Sequence, residues 1–158
     1  MKKSFTKGLS YGTTSGVITT LGLLIGIGAG TDSRLAALSG IMVIAFADAM
    51  SDALGIHISE ESESNNPTKS IWLSTAVTFI TKLVISLSFI IPVLLFPMTL
   101  AIFVAIVWGV ILLTILSYRI AQNNKTKPAV VIAEHMSITV VVIIASYYIG
   151  TYANKLFQ

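Results

Sequence analysis

The chain contains no cysteine. Disulfides and thiolate-bound metals are therefore excluded, and nothing about redox compartment can be read. Charge is also scarce. Only 11% of the 158 residues are charged, where a soluble domain carries about a quarter. Apolar residues take their place: 54% are hydrophobic, and mean hydropathy is +0.86. That composition is expected of an all-α integral membrane protein whose main partner is the lipid bilayer, in a prokaryote the cytoplasmic membrane. No nucleophile–base pair, phosphate loop or metal-hydrolase spacing occurs, so no enzyme and no bound cofactor are expected. The net charge of +3 is no sign of a nucleic-acid partner, because the lysines cluster beside hydrophobic runs.

Five such runs stand out, at about 9–30, 35–57, 71–96, 98–118 and 129–153. Each is near or above the roughly 20 residues a helix needs to cross the hydrocarbon core. The whole chain, 1–158, reads as one five-helix transmembrane domain. Its polar linkers at 59–70 and 121–127 are too short for a soluble domain. The run after Lys2, Lys3 and Lys7 is longer than a signal-peptide core and further spans follow, so it is expected to be retained. With the N-terminus in the cytoplasm, seven basic residues lie inside (Lys2, Lys3, Lys7, Lys69, Arg119, Lys125, Lys127) and two outside (Arg34, Lys155). The expected topology is thus N-terminus in, C-terminus out. Tyrosines and Trp72 fall near the span ends, as amphipathic rings prefer.

The second run is the unusual one, because it carries Asp48 and Asp52 and ends at His57. Four-residue spacing puts both carboxylates on one helix face, about one turn apart. At membrane depth an ionised carboxylate costs roughly 2.5–3.5 kcal/mol even on a lenient scale, so a proton, cation or basic partner is required. Counting 1.5 Å per residue from the cytoplasmic end gives about 8 Å for Asp52, 14 Å for Asp48, 10 Å for Ser15, 8 Å for Glu134 and 17 Å for Lys82. These side chains are expected to meet in one slab of the inner leaflet. Asp48, Asp52 and Glu134 offer hard oxygens that suit magnesium, manganese or ferrous iron. His57 and His135 would add imidazole and shift the preference to a transition metal, although His57 reads first as a helix-end residue at the interface and His135 also as a water-exposed interfacial one. Met42 and Met50 read as packing. Lys82 is either a structural partner of an aspartate or a counter-charge that yields to a cation or proton. Glu60, Glu61 and Glu63 read as a solvated tail or as a cation-attracting mouth.

The first run is marked by glycine. Gly12 and Gly16, then Gly22, Gly26 and Gly30, repeat at four-residue spacing and allow close helix approach. Such a stripe serves packing inside one bundle, a pore lining or a homodimer. A two-fold dimer through Gly22, Gly26 and Gly30 is the expectation tested below.

Gly8-Leu9-Ser10 and the stretch from Ser15-Gly16-Val17-Ile18-Thr19-Thr20 to Ala29 resemble the first helix of the vacuolar iron transporter family, especially its nodulin-21-like branch. Ala49-Met50-Ser51-Asp52-Ala53-Leu54-Gly55, with Ser59 beyond, is similar to that family's second helix, and Tyr147-Tyr148-Ile149-Gly150 to the end of its fifth. The resemblance implies a dimer of five-helix protomers that exports ferrous iron or manganese from the cytosol in exchange for protons. With the constellation read from the residues themselves, a transporter would use Asp48, Asp52, Glu134, Ser15 and His57 as metal contacts, and Lys82 and Glu134 as counter-charge or proton carriers. Three positions depart from the family pattern: Ser15 replaces its first-helix aspartate, Asp52 its second-helix methionine, and Ile56 a glutamate. The cytoplasmic metal-binding insertion of some members is missing between the second and third spans. The competing reading is a structural or regulatory membrane protein on the same scaffold, with its aspartates locked to Lys82.

Overall fold

A computed structural model describes residues 2–63 and 66–157. Among these residues every regular element is a helix: α1 (Lys2–Thr31), α2 (Arg34–Ser62), α3 (Thr68–Ser88), α4 (Ile90–Leu95), α5 (Met98–Asn124) and α6 (Pro128–Phe157). Five stretches are long and apolar enough to cross a membrane, α3 and α4 together forming one of them. The linkers are shorter than their polarity suggests. α2 continues through the acidic segment to Ser62, and α5 runs past Ala121 to Asn124. Ser64 and Asn65, in the expected 59–70 linker, lie outside the described residues.

Local chemistry explains the breaks. Between α1 and α2, Asp32 turns the chain in the left-handed region (φ 48°), and the Ser33 hydroxyl accepts from the Ala36 N–H at 3.2 Å as an N-cap. The third span is interrupted at Phe89 because Pro92 has no N–H to donate back and its ring crowds the preceding turn. α5 ends on a Schellman pair, Lys125 N–H to Gln122 O and Thr126 N–H to Ala121 O, with Lys125 left-handed at φ 55° where glycine is commoner.

Packing is built on rows of small residues four apart. α1 lies innermost and touches α2, α3, α5 and α6. Its Gly8, Gly12 and Gly16 abut α3: a Cβ at Gly12 would stand 2.7 Å from the Thr78 carbonyl oxygen. Gly22, Gly26 and Gly30 abut α6 of the same chain, where a Cβ at Gly30 would stand 3.1 Å from the Gly150 carbonyl oxygen and one at Gly22 3.2 Å from Ser146 Oγ. The stripe expected to join two copies thus works first inside one protomer; with α6 it also floors an open apolar groove of about 530 Å³. The buried row of α2 is Ala37, Ile41, Ala45, Ala49 and Ala53, and that of α5 includes Ala101, Ala105 and Gly109. Val17, Leu21 and Leu24 of α1 fill the centre with Phe89, Val93 and Leu113. Large apolar side chains such as Met42, Phe46, Ile80, Phe103 and Tyr148 point outward, as a surface solvated by lipid requires.

Candidate functional site

The α3 row that faces α1 and α2 is polar: Ser74, Thr78, Lys82 and Ser86 are all buried. Lys82 is the largest fully buried side chain of the protein, with 0% exposure. Its ammonium lies 2.5 Å from Asp52 Oδ2 and 2.6 Å from Asp48 Oδ2, and donates to Ser15 Oγ at 2.8 Å. Three N–H donors therefore have three oxygens in reach, the full capacity of a lysine head. The one-turn spacing of the two aspartates allows this, since both carboxylates face the same point between α2 and α3. The close α1–α3 seam supplies Ser15.

The charges do not balance. With all three groups ionised, two carboxylates against one ammonium leave one negative charge uncompensated inside an apolar bundle. Exposure is unequal: the Asp52 side chain is 16% exposed and that of Asp48 34%. Asp48 is thus the more open side of the cluster.

The remaining expected site residues are held elsewhere. Glu134 is exposed on α6, which packs on α1 and α5 and not on the α2–α3 seam. His57 is not at a helix end. Its Nδ1 lies 2.9 Å from Thr75 Oγ1, and its ring meets Trp72 edge-on with centroids 4.7 Å apart. Because the Thr75 hydroxyl donates to the Ile71 carbonyl at 2.8 Å, the contact reads as Nδ1–H donating to Thr75. His135 pairs in the same way with Ser117 at 2.6 Å, joining α6 to α5. Among the described residues, no group of three or more acidic or histidine side chains is placed to hold one metal ion. Four of the side chains expected in one slab (Ser15, Asp48, Asp52, Lys82) do meet.

In the acidic segment Glu60 departs from the solvated reading, while Glu61 and Glu63 are exposed. Glu60 is 4% exposed. It forms an ion pair with Lys7, and Asn66 donates to its Oε2 at 3.2 Å. Glu63 is exposed and meets Lys7 at 3.2 Å, while Glu61 is exposed. Lys7 and the Asn66 amide hold the Glu63 carboxyl below its ordinary value, the Lys7 hydrogen bond being the largest cause. The α1 lysine was readable only as a topology signal, so its pairing with Glu60, 53 positions along the chain, was missed. The α3 polar row was missed too, although Ser74, Thr78, Lys82 and Ser86 stand at a regular four-residue spacing.

Fold and site together define a five-span helical membrane protein with a lysine-centred carboxylate cluster in its interior. No family model, curated protein or solved structure matches the chain.

Proposed function

We propose that this protein is a cation transporter in which Asp48 and Asp52 receive the ion and Lys82 is a tethered counter-cation occupying their site at rest. The observation that carries the reading is the convergence of two carboxylates, Asp48 and Asp52, on the single ammonium of Lys82, which leaves one negative charge over when all three are ionised. A polar cluster serving stability alone is expected to be neutral, because an unpaired charge in an apolar interior is costly. A cluster one positive charge short is built to exchange one. Asp48, partly open, is the point of arrival; Ser15 supplies a neutral oxygen. The cargo fitting two carboxylates and a hydroxyl is a hard or borderline divalent cation, ferrous or manganous ion being those the family resemblance implies. Export from the cytosol against protons, with the lysine-rich end inside, is part of the proposal. So is a homodimer, which would have to form over the groove that Gly22, Gly26 and Gly30 share with α6. Glu134, on α6, which packs on α1 but not on α2 or α3, serves at most as a proton group on the flank.

A second reading rests on the three oxygens around Lys82: an ammonium so fully satisfied is also what a structural lock looks like. Flux separates the two. Purified protein in liposomes is tested for uptake of Fe²⁺, Mn²⁺, Co²⁺, Zn²⁺ and Mg²⁺ with and without a pH gradient. Transport predicts uptake of at least one ion, lost in Asp52→Asn while the protein stays folded. Wild-type protein that moves none of them, or an Asp52→Asn protein that moves them at the wild-type rate, overturns the proposal.

A further inference from the structure

If an ion displaces Lys82 from its carboxylates, the ammonium must go somewhere with oxygen acceptors. Among the described residues, hydroxyls exposed 1% or less follow a rule: each bonds a carbonyl of its own helix. Ser74 donates to Ile71 O at 2.9 Å, Thr78 to Ser74 O at 2.8 Å, Ser117 to Leu113 O at 2.6 Å and Thr139 to His135 O at 2.8 Å. Thr20 and Ser86 break it. Both are 0% exposed, and among the described residues these two buried hydroxyls have no hydrogen-bond partner. Their helices offer the same kind of carbonyl, so the exception needs a reason.

The packing register, carried one step beyond the glycines, points the two toward the same part of the α1–α3 seam. Gly8 faces Ser74 and Thr78, Gly12 faces Thr78 and Lys82, and Gly16 faces Lys82 and Ile85. One further step of four residues brings Thr20 opposite the turn that carries Ser86. Ser86 is also four residues beyond Lys82 on the same α3 face, where side chains stand about 5–6 Å apart at Cβ. A lysine side chain spans that gap by rotating its own bonds, with no helix movement. α2 runs antiparallel to α3, so Asp48 is the carboxylate on the Ser86 side of the cluster and stays within the ammonium's neighbourhood.

We propose that Thr20 and Ser86 form a second seat for the Lys82 ammonium, one turn beyond Asp48 and Asp52, to which it withdraws when a cation occupies the carboxylates. The proposal rests on the transport reading, since only an arriving ion gives Lys82 cause to move. Each hydroxyl has two lone pairs to offer, and the seam there is closed to water and lipid. The seat keeps the positive charge inside the protein during turnover and returns it when the ion leaves, so the emptied site is not left with two bare carboxylates.

A thermal-unfolding cycle tests the seat without relying on flux. Thr20→Val with Ser86→Ala is made in the wild-type protein and in an Asp48→Ala/Asp52→Ala background. In the wild type the hydroxyls are idle, so Tm is expected to stay level or rise. With the carboxylates gone the ammonium keeps only Ser15 Oγ besides the seat, so the same change should lower Tm by several degrees. An equal shift in the two backgrounds overturns the proposal. Should the double alanine background not fold, Asp48→Leu/Asp52→Leu, which removes both carboxylates and refills their volume, serves for the same comparison. Liposome flux of the ion carried by the wild type is the second arm: the hydroxyl-free variant is expected to be at least tenfold slower, and a wild-type rate overturns the seat. If the wild type carries nothing, the transport reading falls, and the thermal cycle still decides whether the seat exists.

Discussion

Lys82→Met is the perturbation that asks most of the cluster. It keeps the length and apolar stem of the side chain and removes only the charge that holds two carboxylates. Removing one partner of a buried ion pair costs about 3–5 kcal/mol. Here two anions lose their partner, but the Asp48 side chain is 34% exposed and finds some solvent, so the lower end, about 3 kcal/mol, is expected. For a chain of 158 residues that corresponds to a fall in Tm of roughly 6–12 °C. Asp52→Asn should behave differently. Lys82 keeps Asp48 and Ser15, the cluster becomes neutral, and the change should stay within about 1 kcal/mol of the wild type. Neutralising both aspartates in the Lys82→Met protein should restore most of the lost stability. Thermal unfolding in one detergent, followed by circular dichroism, measures all four. A Lys82→Met protein within a degree or two of the wild type would refute the reasoning. So would an Asp52→Asn protein that loses as much as Lys82→Met.

Gly12→Ala should destabilise by about 1–3 kcal/mol, because its Cβ meets the α3 backbone rather than a side chain that can yield; a Tm equal to wild type would show that the seam is looser than described. Gly55→Ala should instead raise stability by about 0.5–1 kcal/mol, since nothing lies within 4 Å of the added methyl and glycine is a poor helix former; a loss of stability would contradict it. The contact of Glu63 with Lys7 should be pH-sensitive in one direction. The folded carboxyl titrates below its ordinary value of 4.5, so its contribution is complete above that value and fades as pH falls through the lower folded one. The Tm difference between wild type and Glu63→Gln, followed against pH, should shrink on acidification; growth on acidification would reverse the sign.

Much of the fold was legible because lipid makes composition decisive: five apolar runs of sufficient length have few alternatives to five helices. The site was legible in part. The spacing of Asp48 and Asp52 fixed their shared face, and counting rise per residue put Ser15 and Lys82 near the same level. Depth carries no information about direction around the helix axis, and for that reason Glu134 could match the level of the cluster and still stand on a helix that faces away from it. The glycine stripe was ambiguous for a similar reason. A row of small residues announces a close neighbour without naming it, and α6 is as good a neighbour as a second copy. Glu60 misled because a run of acids resembles a solvated tail, while its partner Lys7 lies far away in sequence.

The glycines and the charges turn out to be parts of one device. Ser15 has a short side chain, and it reaches Lys82 at 2.8 Å only because the backbones of α1 and α3 nearly touch. The neighbouring rows show how little room there is: a Cβ at Gly16 would stand 3.3 Å from the Lys82 carbonyl oxygen itself. Helices at the usual 8–10 Å separation would leave a hydroxyl there out of range. The same closeness excludes water from Lys82, which strengthens its attraction to both aspartates and also raises the cost of leaving it without a partner. A cluster in that position is held tightly yet sets two carboxylates against one ammonium, and Asp48 is its exposed edge. Tight packing therefore does not argue against exchange at this site. On the transport proposal it sets the condition for it, since an ion arriving at Asp48 would compete with an ammonium whose movements are confined to the oxygens that α1 and α3 provide.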